Sequence, residues 1–341
     1  KYNYIINNSS SDILNYISLI FYKNASRLIN ITRQPVSPKL LAECSIFHSS
    51  YPRIPRVVRK YLPNRHLQTV YDLIPLILDK RYCIPGQSQI TSRIIDSIQP
   101  NDWITTISDS TRNDLLNRLP NLKEEQVVTI YLGANQSIFY KTTDKHKILL
   151  AKKKYRIPHE NYFLSLNSLL PHKNIVHLIH SFNEFLKQEK IQDLYLVICG
   201  GSEFSINQLI KSNSLTSSDL NKIYFTGFIE DYDLASIYSD AIAFIFPSLY
   251  EGFGLPVLEA MQCGCPVIAS NTSSLPEIIG SAGLLVSPTV QTDLCQAMTT
   301  LYYSSTLRKH YADLAYNRAN LFNWQTTIEN LIKLYKIILH S

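Results

Sequence analysis

The second half of the chain alternates short, almost wholly apolar runs with longer stretches of helical spacing. The apolar runs predict strands at 162–166, 194–199, 223–226, 241–246, 266–269 and 283–286. Helices are predicted between most of them, for example over 175–188 and 255–263. Near-continuous apolar strands that alternate with helices are typical of a parallel sheet covered on both faces. The pattern therefore predicts a doubly wound α/β domain.

The first half has a weaker pattern of the same kind. Strands are predicted at 67–71, 103–107 and 127–132, and Ser108 is a good N-cap for a helix after the second strand. An amphipathic stretch lies earlier, with apolar positions at Ile13, Leu14, Ile17, Ile20 and Phe21. The strands at 103–107 and 127–132, with the capped helix between them, therefore predict a strand–helix–strand unit in the first half as well.

The chain is long for one domain, and its pattern places the boundaries. Residues 141–158 are rich in lysine and end at Pro158, so we interpret them as a linker. Apolar residues recur with helical spacing from Ile328 to Leu339 and predict a final helix with one apolar stripe. The 341 residues are accordingly divided into an N-terminal domain at 1–140, a C-terminal domain at 141–320 and a terminal helix at 321–341.

Composition indicates a cytoplasmic protein. The six cysteines match no zinc or disulfide spacing, so we interpret them as packing residues in a reducing compartment. The sequence contains no run of 18 apolar residues and no visible signal peptide.

Positive charge is concentrated in the first half. Residues 1–150 carry 19 basic and 11 acidic side chains, whereas the whole chain has a net charge of +6. No acidic residue lies between Glu43 and Asp72, and the basic cluster there comprises Arg53, Arg56, Arg59, Lys60 and Arg65. The cluster is either an ordinary solvated face or a surface for anionic lipid headgroups or a phosphate-bearing acceptor. No DNA- or RNA-binding motif accompanies it, so nucleic acid is not an expected partner.

The strongest candidate for a functional site lies at 247–265, which reads PSLYEGFGLPVLEAMQCGC. Eight of the chain's 10 glycines lie between Gly200 and Gly283, and two of them, Gly252 and Gly254, directly precede a predicted helix. Glycines before a helix leave backbone N–H groups accessible, and the helix dipole adds partial positive charge, so this loop predicts a phosphate site. Glu251 and Glu259 could accept hydrogen bonds from ligand hydroxyls. The alternative is a tight turn with surface glutamates.

This block resembles the signature of glycosyltransferase family 4, the group 1 glycosyltransferases, whose E-x7-E element is matched by Glu251 and Glu259. Further segments have counterparts in that family, so the resemblance covers roughly residues 40–341. They are FHSSYPRIP at 47–55, TVYDLIPL at 69–76, SDSTRNDLL at 108–116, IYLGANQSIF at 130–139, LPHKNIVHLIHSF at 170–182, FTGFIEDYDLASIYSDAIAFIFPS at 225–248 and FNWQTT at 322–327. The resemblance implies a GT-B fold, in which two Rossmann-like doubly wound domains face a cleft and a C-terminal helix crosses back to the first domain.

The same resemblance implies roles for individual residues. It implies a retaining hexosyltransferase with no required metal and no cofactor beyond its donor substrate, GDP-mannose or a UDP-sugar. The implied catalytic residues are Glu251, Lys173, Tyr71 and Asp72. The implied donor-binding residues are His172, Gly252, Phe253, Gly254, Leu255, Glu259, Gly227 and Ile229. Among these, Lys173 meets the diphosphate, Glu259 the ribose hydroxyls, and the backbone near Ile229 the base.

Four positions depart from the family pattern. His172 replaces an arginine, Tyr71 a histidine, Asn167 a glycine and Leu170 a glutamate. A neutral imidazole offers one hydrogen bond where a guanidinium offers a charged fork. The family's early glycine-rich turn is also missing, and the chain opens at Lys1, so we expect residues before this start.

Two functions from different classes follow. The leading hypothesis is a retaining transferase that moves a hexose, with mannose slightly favoured, to a glycan or lipid-linked acceptor in polysaccharide biosynthesis. It would work in the cytoplasm, with peripheral contact to the inner face of the membrane through the basic cluster. The alternative is a catalytically impaired nucleotide-sugar-binding homologue or partner subunit. A sugar epimerase of the same fold and a dinucleotide oxidoreductase are weaker hypotheses, the latter because no G-x-G-x-x-G follows a strand.

Overall fold

The computed structural model describes Leu41, residues 44–340 and the backbone of Tyr4–Ile5. The amphipathic stretch predicted around Ile13–Phe21 lies outside the described residues. The chain forms two compact units. Among the described residues, the first comprises those up to Ile77, Ile84–Leu132 and those from Trp324 onwards, and the second comprises Leu78–Cys83 and Gly133–Asn323.

The first unit is built on a five-stranded sheet of order β1-β2-β3-β4-β5. Its strands are β1 (Tyr4–Ile5), β2 (Phe47–Ser49), β3 (His66–Val70), β4 (Trp103–Thr106) and β5 (Val127–Thr129). β1 pairs antiparallel with β2, and the other pairs are parallel. The helices between the strands are α1 (Arg56–Tyr61), α2 (Ile74–Ile77), α3 (Gln87–Ile95) and α4 (Asp109–Arg118). The predicted cap of α4 is present, because Ser108 Oγ accepts a hydrogen bond from Thr111 N–H at 3.1 Å.

The second unit is built on a six-stranded, wholly parallel sheet of order β11-β10-β9-β6-β7-β8. The strands are β6 (Asn161–Leu166), β7 (Leu194–Cys199), β8 (Ile223–Gly227), β9 (Phe244–Phe246), β10 (Val267–Ser270) and β11 (Leu284–Val286). The chain moves outwards from β6 to β8 and then returns to β9 on the other side of β6. The boundary between β6 and β9 is therefore a topological switch point, where open α/β sheets bind ligands.

Helices cover this second sheet. They are α5 (Lys145–Lys154), α6 (Ile175–Glu189), α7 (Glu203–Ser212), α8 (Asp231–Asp240), α9 (Leu255–Gln262), α10 (Leu275–Ile279), α11 (Gln291–Tyr303) and α12 (Ser305–Ala319). The predicted helices at 175–188 and 255–263 correspond to α6 and α9. Phe163, Phe182 and Phe185 are fully buried and meet edge-on or tilted, with ring centroids 6.1 to 6.4 Å apart. The central strands β6, β7, β9 and β10 are thus largely buried, whereas β8 at one edge of the sheet is half-buried. The doubly wound prediction is confirmed.

The interpretation of 141–158 as a linker is wrong. Asp144 caps α5 by accepting hydrogen bonds from His146 N–H and Lys147 N–H at 3.0 and 3.2 Å. Lys152 is buried, donates to Asp240 Oδ2 at 2.9 Å and lies 4.8 Å from the centre of the Tyr162 ring. A lysine-rich segment can therefore form a packed helix, because the apolar stem of a lysine can be buried while its charged end pairs with a carboxylate.

The last helix, α13 (Trp324–His340), belongs to the first unit. Its apolar stripe packs on that unit's sheet in a cluster that joins Ile46, Leu67, Trp103 and Ile130 to Leu331, Leu334, Tyr335 and Ile338. This confirms the prediction that the final helix returns to the first half of the chain. Among the described residues, no helix is long and apolar enough to cross a membrane.

One member of the basic cluster is not a surface charge. Both terminal nitrogens of Arg59 donate to the Asp102 carboxylate, and the side chains of Arg59 and Asp102 are only 15% and 2% exposed. His66 Nε2 and Gln99 N–H also meet this carboxylate, each at 2.8 Å. Arg59 is therefore a structural residue, whereas Arg53, Arg56, Lys60 and Arg65 are exposed.

Candidate functional site

A lysine and a glutamate meet at the switch point of the second sheet. Lys173 ends the 3-10 turn Pro171–Lys173 after β6, and Glu251 lies in the loop after β9. Lys173 Nζ donates to Glu251 Oε1 at 2.6 Å, and the side chains are 16% and 9% exposed. Lys173 Nζ also lies 5.2 Å from the centre of the Phe246 ring. Two residues 78 positions apart are thus brought together in a nearly buried ion pair.

The turn that carries Lys173 is tied to the loop after β9. Asn174 has a left-handed conformation, with φ 61°, and its Nδ2 donates to the carbonyls of Pro247 and Pro288 at 3.1 and 2.7 Å. The backbone carbonyl of His172 accepts from Leu249 N–H at 2.8 Å. These bonds fix the position of the ammonium group relative to the loop. Asn174 was not among the site residues predicted from the sequence.

His172 is buried beside this pair and is neutral at pH 7. Burial lowers the pKa of its ring, and the adjacent Lys173 lowers it further. Glu251 and a hydrogen bond with the Tyr82 backbone oppose these effects without overcoming them. Tyr82 belongs to the short 3-10 turn Lys80–Tyr82, part of the segment assigned to the second unit.

The glycine loop leads directly into α9. Gly254 is its N-cap residue with φ 105°, and a Cβ there would lie 2.7 Å from Cδ2 of the buried Leu275. Pro256 lies in the first turn, and the N-cap residue, a glycine, has no side chain that could cap this helix. The combination leaves the positive end of the helix dipole beside Lys173 and Glu251, which suits an anionic group.

Hydroxyl side chains that the sequence reasoning missed hold this loop in place. Glu251 N–H donates to Ser273 Oγ at 2.9 Å, and Ser274 Oγ lies within hydrogen-bond distance of the carbonyls of Glu251 and Phe253, at 3.0 and 2.9 Å. Thr272 Oγ1 donates to the carbonyl of Leu249 at 3.2 Å. The sequence signal for these residues is the Thr-Ser-Ser run at 272–274, separated by one residue from the end of β10. β10 and β9 are parallel neighbours, so both end at the same edge of the sheet.

Glu259 lies on the second turn of α9. Burial and the nearby Asp231 raise the pKa of its carboxyl to about 8, although a hydrogen bond with Tyr238 opposes the shift. The side chain is therefore largely protonated at pH 7 and can donate as well as accept a hydrogen bond.

The predicted base-contacting residues lie at the end of β8. The Gly227 carbonyl accepts from Gly200 N–H at 2.7 Å, so the ends of β7 and β8 meet. A Cβ on Gly200 would lie 2.2 Å from the Asn167 carbonyl, which restricts this position to glycine. Ile229 is buried, whereas Phe228 is 70% exposed.

Tyr71 and Asp72 lie in the first unit, at the carboxyl end of β3. Burial raises the pKa of Tyr71 to about 12, and its ring centre is 6.2 Å from that of Tyr51. Asp72 Oδ1 accepts from Ile74 N–H at 3.0 Å. The other predicted site residues, from His172 to Glu259, all lie in the second unit. No cluster of His, Cys, Asp or Glu among the described residues could hold a metal ion.

The switch point of this α/β sheet brings together a lysine, a helix N-terminus and carboxyl groups. Such a site suits a ligand that carries both phosphate and hydroxyl groups. Comparison with known proteins makes the class specific, since the family model for group 1 glycosyl transferases matches residues 148–318. The chain belongs to the group 1 glycosyltransferases, a family of retaining hexosyltransferases, and has their GT-B fold.

Individual relatives support this assignment. The chain is 30% identical over 284 residues to O-antigen chain mannosyltransferase B of Escherichia coli, covering 82% of this chain and 72% of the relative. It is 29% identical over 286 residues to the serotype-specific mannosyltransferase WbdA of Escherichia coli, covering 82% of this chain but only 34% of WbdA, so it spans about a third of that protein. Anabaena HepE, solved with UDP and glucose, shares the fold with a TM-score of 0.67 at 16% identity, over 87% of this chain and 75% of HepE.

Proposed function

We propose that this protein transfers a hexose, with mannose favoured, from a nucleotide-sugar to a glycan or lipid-linked acceptor in the synthesis of a surface polysaccharide. The observation that carries the proposal is the buried pair of Lys173 and Glu251 beside the N-terminus of α9. The mannosyltransferase names of the two Escherichia coli relatives favour mannose, and the UDP held by HepE supports a nucleotide-sugar donor.

The geometry supports separate roles for the site residues of the second unit. Lys173 and the first turn of α9 would neutralise the diphosphate, whose charge increases as the sugar leaves. Glu251 would accept hydrogen bonds from sugar hydroxyls, since Ser273 and Ser274 hold its backbone on both sides. Glu259 would bind the ribose hydroxyls, and His172 would add a neutral hydrogen bond at the phosphates.

The release of nucleoside diphosphate from GDP-mannose or a UDP-sugar, measured with and without acceptor glycans, tests this function. Glu251→Gln and Lys173→Met are expected to reduce turnover at least a hundredfold. Lys152→Met is the matched control, because it removes a buried, ion-paired lysine on α5 and leaves the candidate site intact. Undiminished turnover in both site variants would overturn the assignment.

A second candidate function is favoured by His172 and Tyr71. The neutral imidazole supplies no positive charge to a leaving diphosphate, and a tyrosine with a raised pKa cannot carry the charge of a histidine. A non-catalytic homologue would bind nucleotide-sugars without releasing product at any acceptor. Activity that appears only in the double variant Tyr71→His with His172→Arg would establish this alternative.

We also infer that the protein works at the cytoplasmic face of the cell membrane, with the exposed basic residues against anionic lipid. Arg56 and Lys60 are one helical turn apart on α1, and Arg53 and Arg65 flank that helix. Co-sedimentation with phosphatidylglycerol vesicles is expected to fall when these four residues are changed to Gln. Changing the exposed Lys145, Lys147 and Lys153 to Gln is the control. An equal loss of co-sedimentation in both variants would contradict the inference that these four residues form a specific lipid-facing surface.

A further inference from the structure

One residue outside the loop after β8 contacts both the end of that loop and the strand before it. The loop runs from Gly227, the last residue of β8, to Glu230, directly before α8. Tyr155, which follows α5, accepts a hydrogen bond on its hydroxyl oxygen from Glu230 N–H at 3.1 Å. Its backbone carbonyl accepts from the hydroxyl of Tyr224, on β8, at 3.2 Å. Tyr155 therefore contacts the end of the loop directly, and it also contacts β8 three residues before the loop begins.

The direction of these bonds is determined by the neighbouring charges. The Tyr155 hydroxyl donates its only proton to Asp233 Oδ2 at 2.7 Å, and Lys154 Nζ donates to the same oxygen at 2.7 Å. A lone pair of the hydroxyl is therefore directed to Glu230 N–H. The described residues provide no side-chain cap from α8 itself. Glu230 is the N-cap residue of α8, so Tyr155 supplies from another element the acceptor for the N-cap N–H that the side chain of residue N3 provides in a capping box.

The loop lies at the edge of the sheet where a ligand would bind. It continues the carboxyl end of β8, beside Gly200 and Gly201 at the end of β7. Three glycines here, Gly200, Gly201 and Gly227, leave backbone rather than side chains at the surface of this edge. A donor whose diphosphate lies at Lys173, between β6 and β9, can extend its nucleoside across the ends of β7 and β8.

We propose that Tyr155 is a positioning residue for the donor's nucleobase: it fixes the end of the 227–230 loop at Glu230, and the backbone N–H and C=O groups of Phe228 and Ile229 in that loop would meet the hydrogen-bonding edge of the base. The inference rests on the proposed function, since it requires a nucleotide donor. It also gives a role to the lysine-rich segment, whose helix α5 presents Tyr155 and Lys154 to the loop.

Tyr155→Phe tests this role because it keeps the ring and the backbone carbonyl and removes only the hydroxyl. One lost hydrogen bond is expected to raise the KM for nucleotide-sugar and weaken nucleoside diphosphate binding about fivefold to tenfold, with kcat within about twofold. Binding of inorganic diphosphate, which has no base, is expected to be unchanged. Tyr162→Phe is the matched control, because it removes a tyrosine hydroxyl that donates to Ile237 O at 2.7 Å in the last turn of α8.

The outcomes separate this inference from the proposed function. If the unaltered protein neither binds nucleoside diphosphate nor uses nucleotide-sugar, the proposed function fails. If it does bind, wild-type affinity in Tyr155→Phe overturns the positioning role, as does an equal loss in Tyr162→Phe or an equal loss for inorganic diphosphate. Asp233→Asn is a second test that can be used if Tyr155→Phe does not fold. It keeps the Tyr155 hydroxyl but weakens the acceptor that orients it, so a smaller loss of nucleoside diphosphate affinity is expected.

Discussion

Replacing Gly254 with alanine should damage the N-terminus of α9 far more than the same replacement at the other end of that helix. Gly254, with φ 105°, precedes the helix, and Gly264, with φ 65°, follows it. Both positions impose a left-handed backbone on alanine, which costs about 1–2 kcal/mol. Both also gain about the same from a less flexible unfolded chain, so this contribution cancels in the comparison.

The two sites differ in what the new methyl group meets. At Gly254 it would lie 2.7 Å from Cδ2 of Leu275, which is fully buried and cannot move without shifting its neighbours. At Gly264 it would lie 2.9 Å from Cδ of Lys141, a long side chain that can rotate away. Overpacking a core costs about 1–3 kcal/mol, so Gly254→Ala should be destabilised by about 2–5 kcal/mol and Gly264→Ala by only about 1–2 kcal/mol.

Urea unfolding followed by far-UV circular dichroism measures this difference. Tryptophan fluorescence is unsuitable, because both tryptophans, Trp103 and Trp324, lie in the first unit whereas both glycines lie in the second. Gly254→Ala should also weaken nucleoside diphosphate binding, since it displaces the first turn of α9, whereas Gly264→Ala should not. Equal stability and equal binding in the two variants would refute both the steric reasoning and the anion site at α9.

Three further predictions concern titratable groups. Lowering the pH from 7 to 5.5 should tighten nucleotide-sugar binding, because a bound diphosphate favours the protonated imidazole of His172, whose pKa is lowered in the free protein. His172→Gln should weaken this pH dependence in calorimetric titrations; Glu259, with a pKa of about 8, stays largely protonated over this range. Asp102→Asn should cost about 3–5 kcal/mol of unfolding free energy at pH 7, because it breaks a buried ion pair. Burial opposes ionisation of Asp102, but hydrogen bonds from His66 and Arg59 hold the pKa of its carboxyl below the usual range. The difference in unfolding free energy between Asp102→Asn and wild type should therefore shrink below about pH 4, as measured by urea titrations at several pH values. Glu259→Gln should become progressively more stable relative to wild type in thermal melts between pH 5 and pH 8, because the folded protein resists ionising a carboxyl whose pKa is about 8. A difference that stays constant over this range would contradict this.

The parts of the fold that depend on local pattern could be predicted from the sequence. The apolar runs that became β6, β7 and β10 are buried on both faces, and the stripe from Ile328 to Leu339 packs on the first sheet. These strands and the terminal helix need only chain order and side-chain polarity. Lys173 and Glu251 were assigned to one donor site by the family resemblance, and their ion pair is visible only in the structure.

Features that depend on particular partners could not be predicted in this way. Lys152 and Arg59 look like surface charges in the sequence, but each finds a carboxylate distant along the chain, Asp240 and Asp102 respectively. Nothing in the sequence distinguishes Ser273 from the other hydroxyl residues, and its role becomes clear only because the fold places its Oγ against Glu251 N–H. Tyr155 gains its role only because the end of α5 lies beside the loop after β8. In each case the sequence contains the residue, and the tertiary contact defines what it does.

Calorimetric titration of GDP and UDP into the protein tests the central claim most directly, that a nucleotide-sugar's diphosphate binds at Lys173 and the N-terminus of α9. At least one of the two nucleotides should bind, and Lys173→Met should weaken it about tenfold to a hundredfold, the effect of losing one charge-assisted hydrogen bond. Lys152→Met should bind like the unaltered protein. Equal affinity in Lys173→Met and the unaltered protein, or no binding of either nucleotide, would contradict the account.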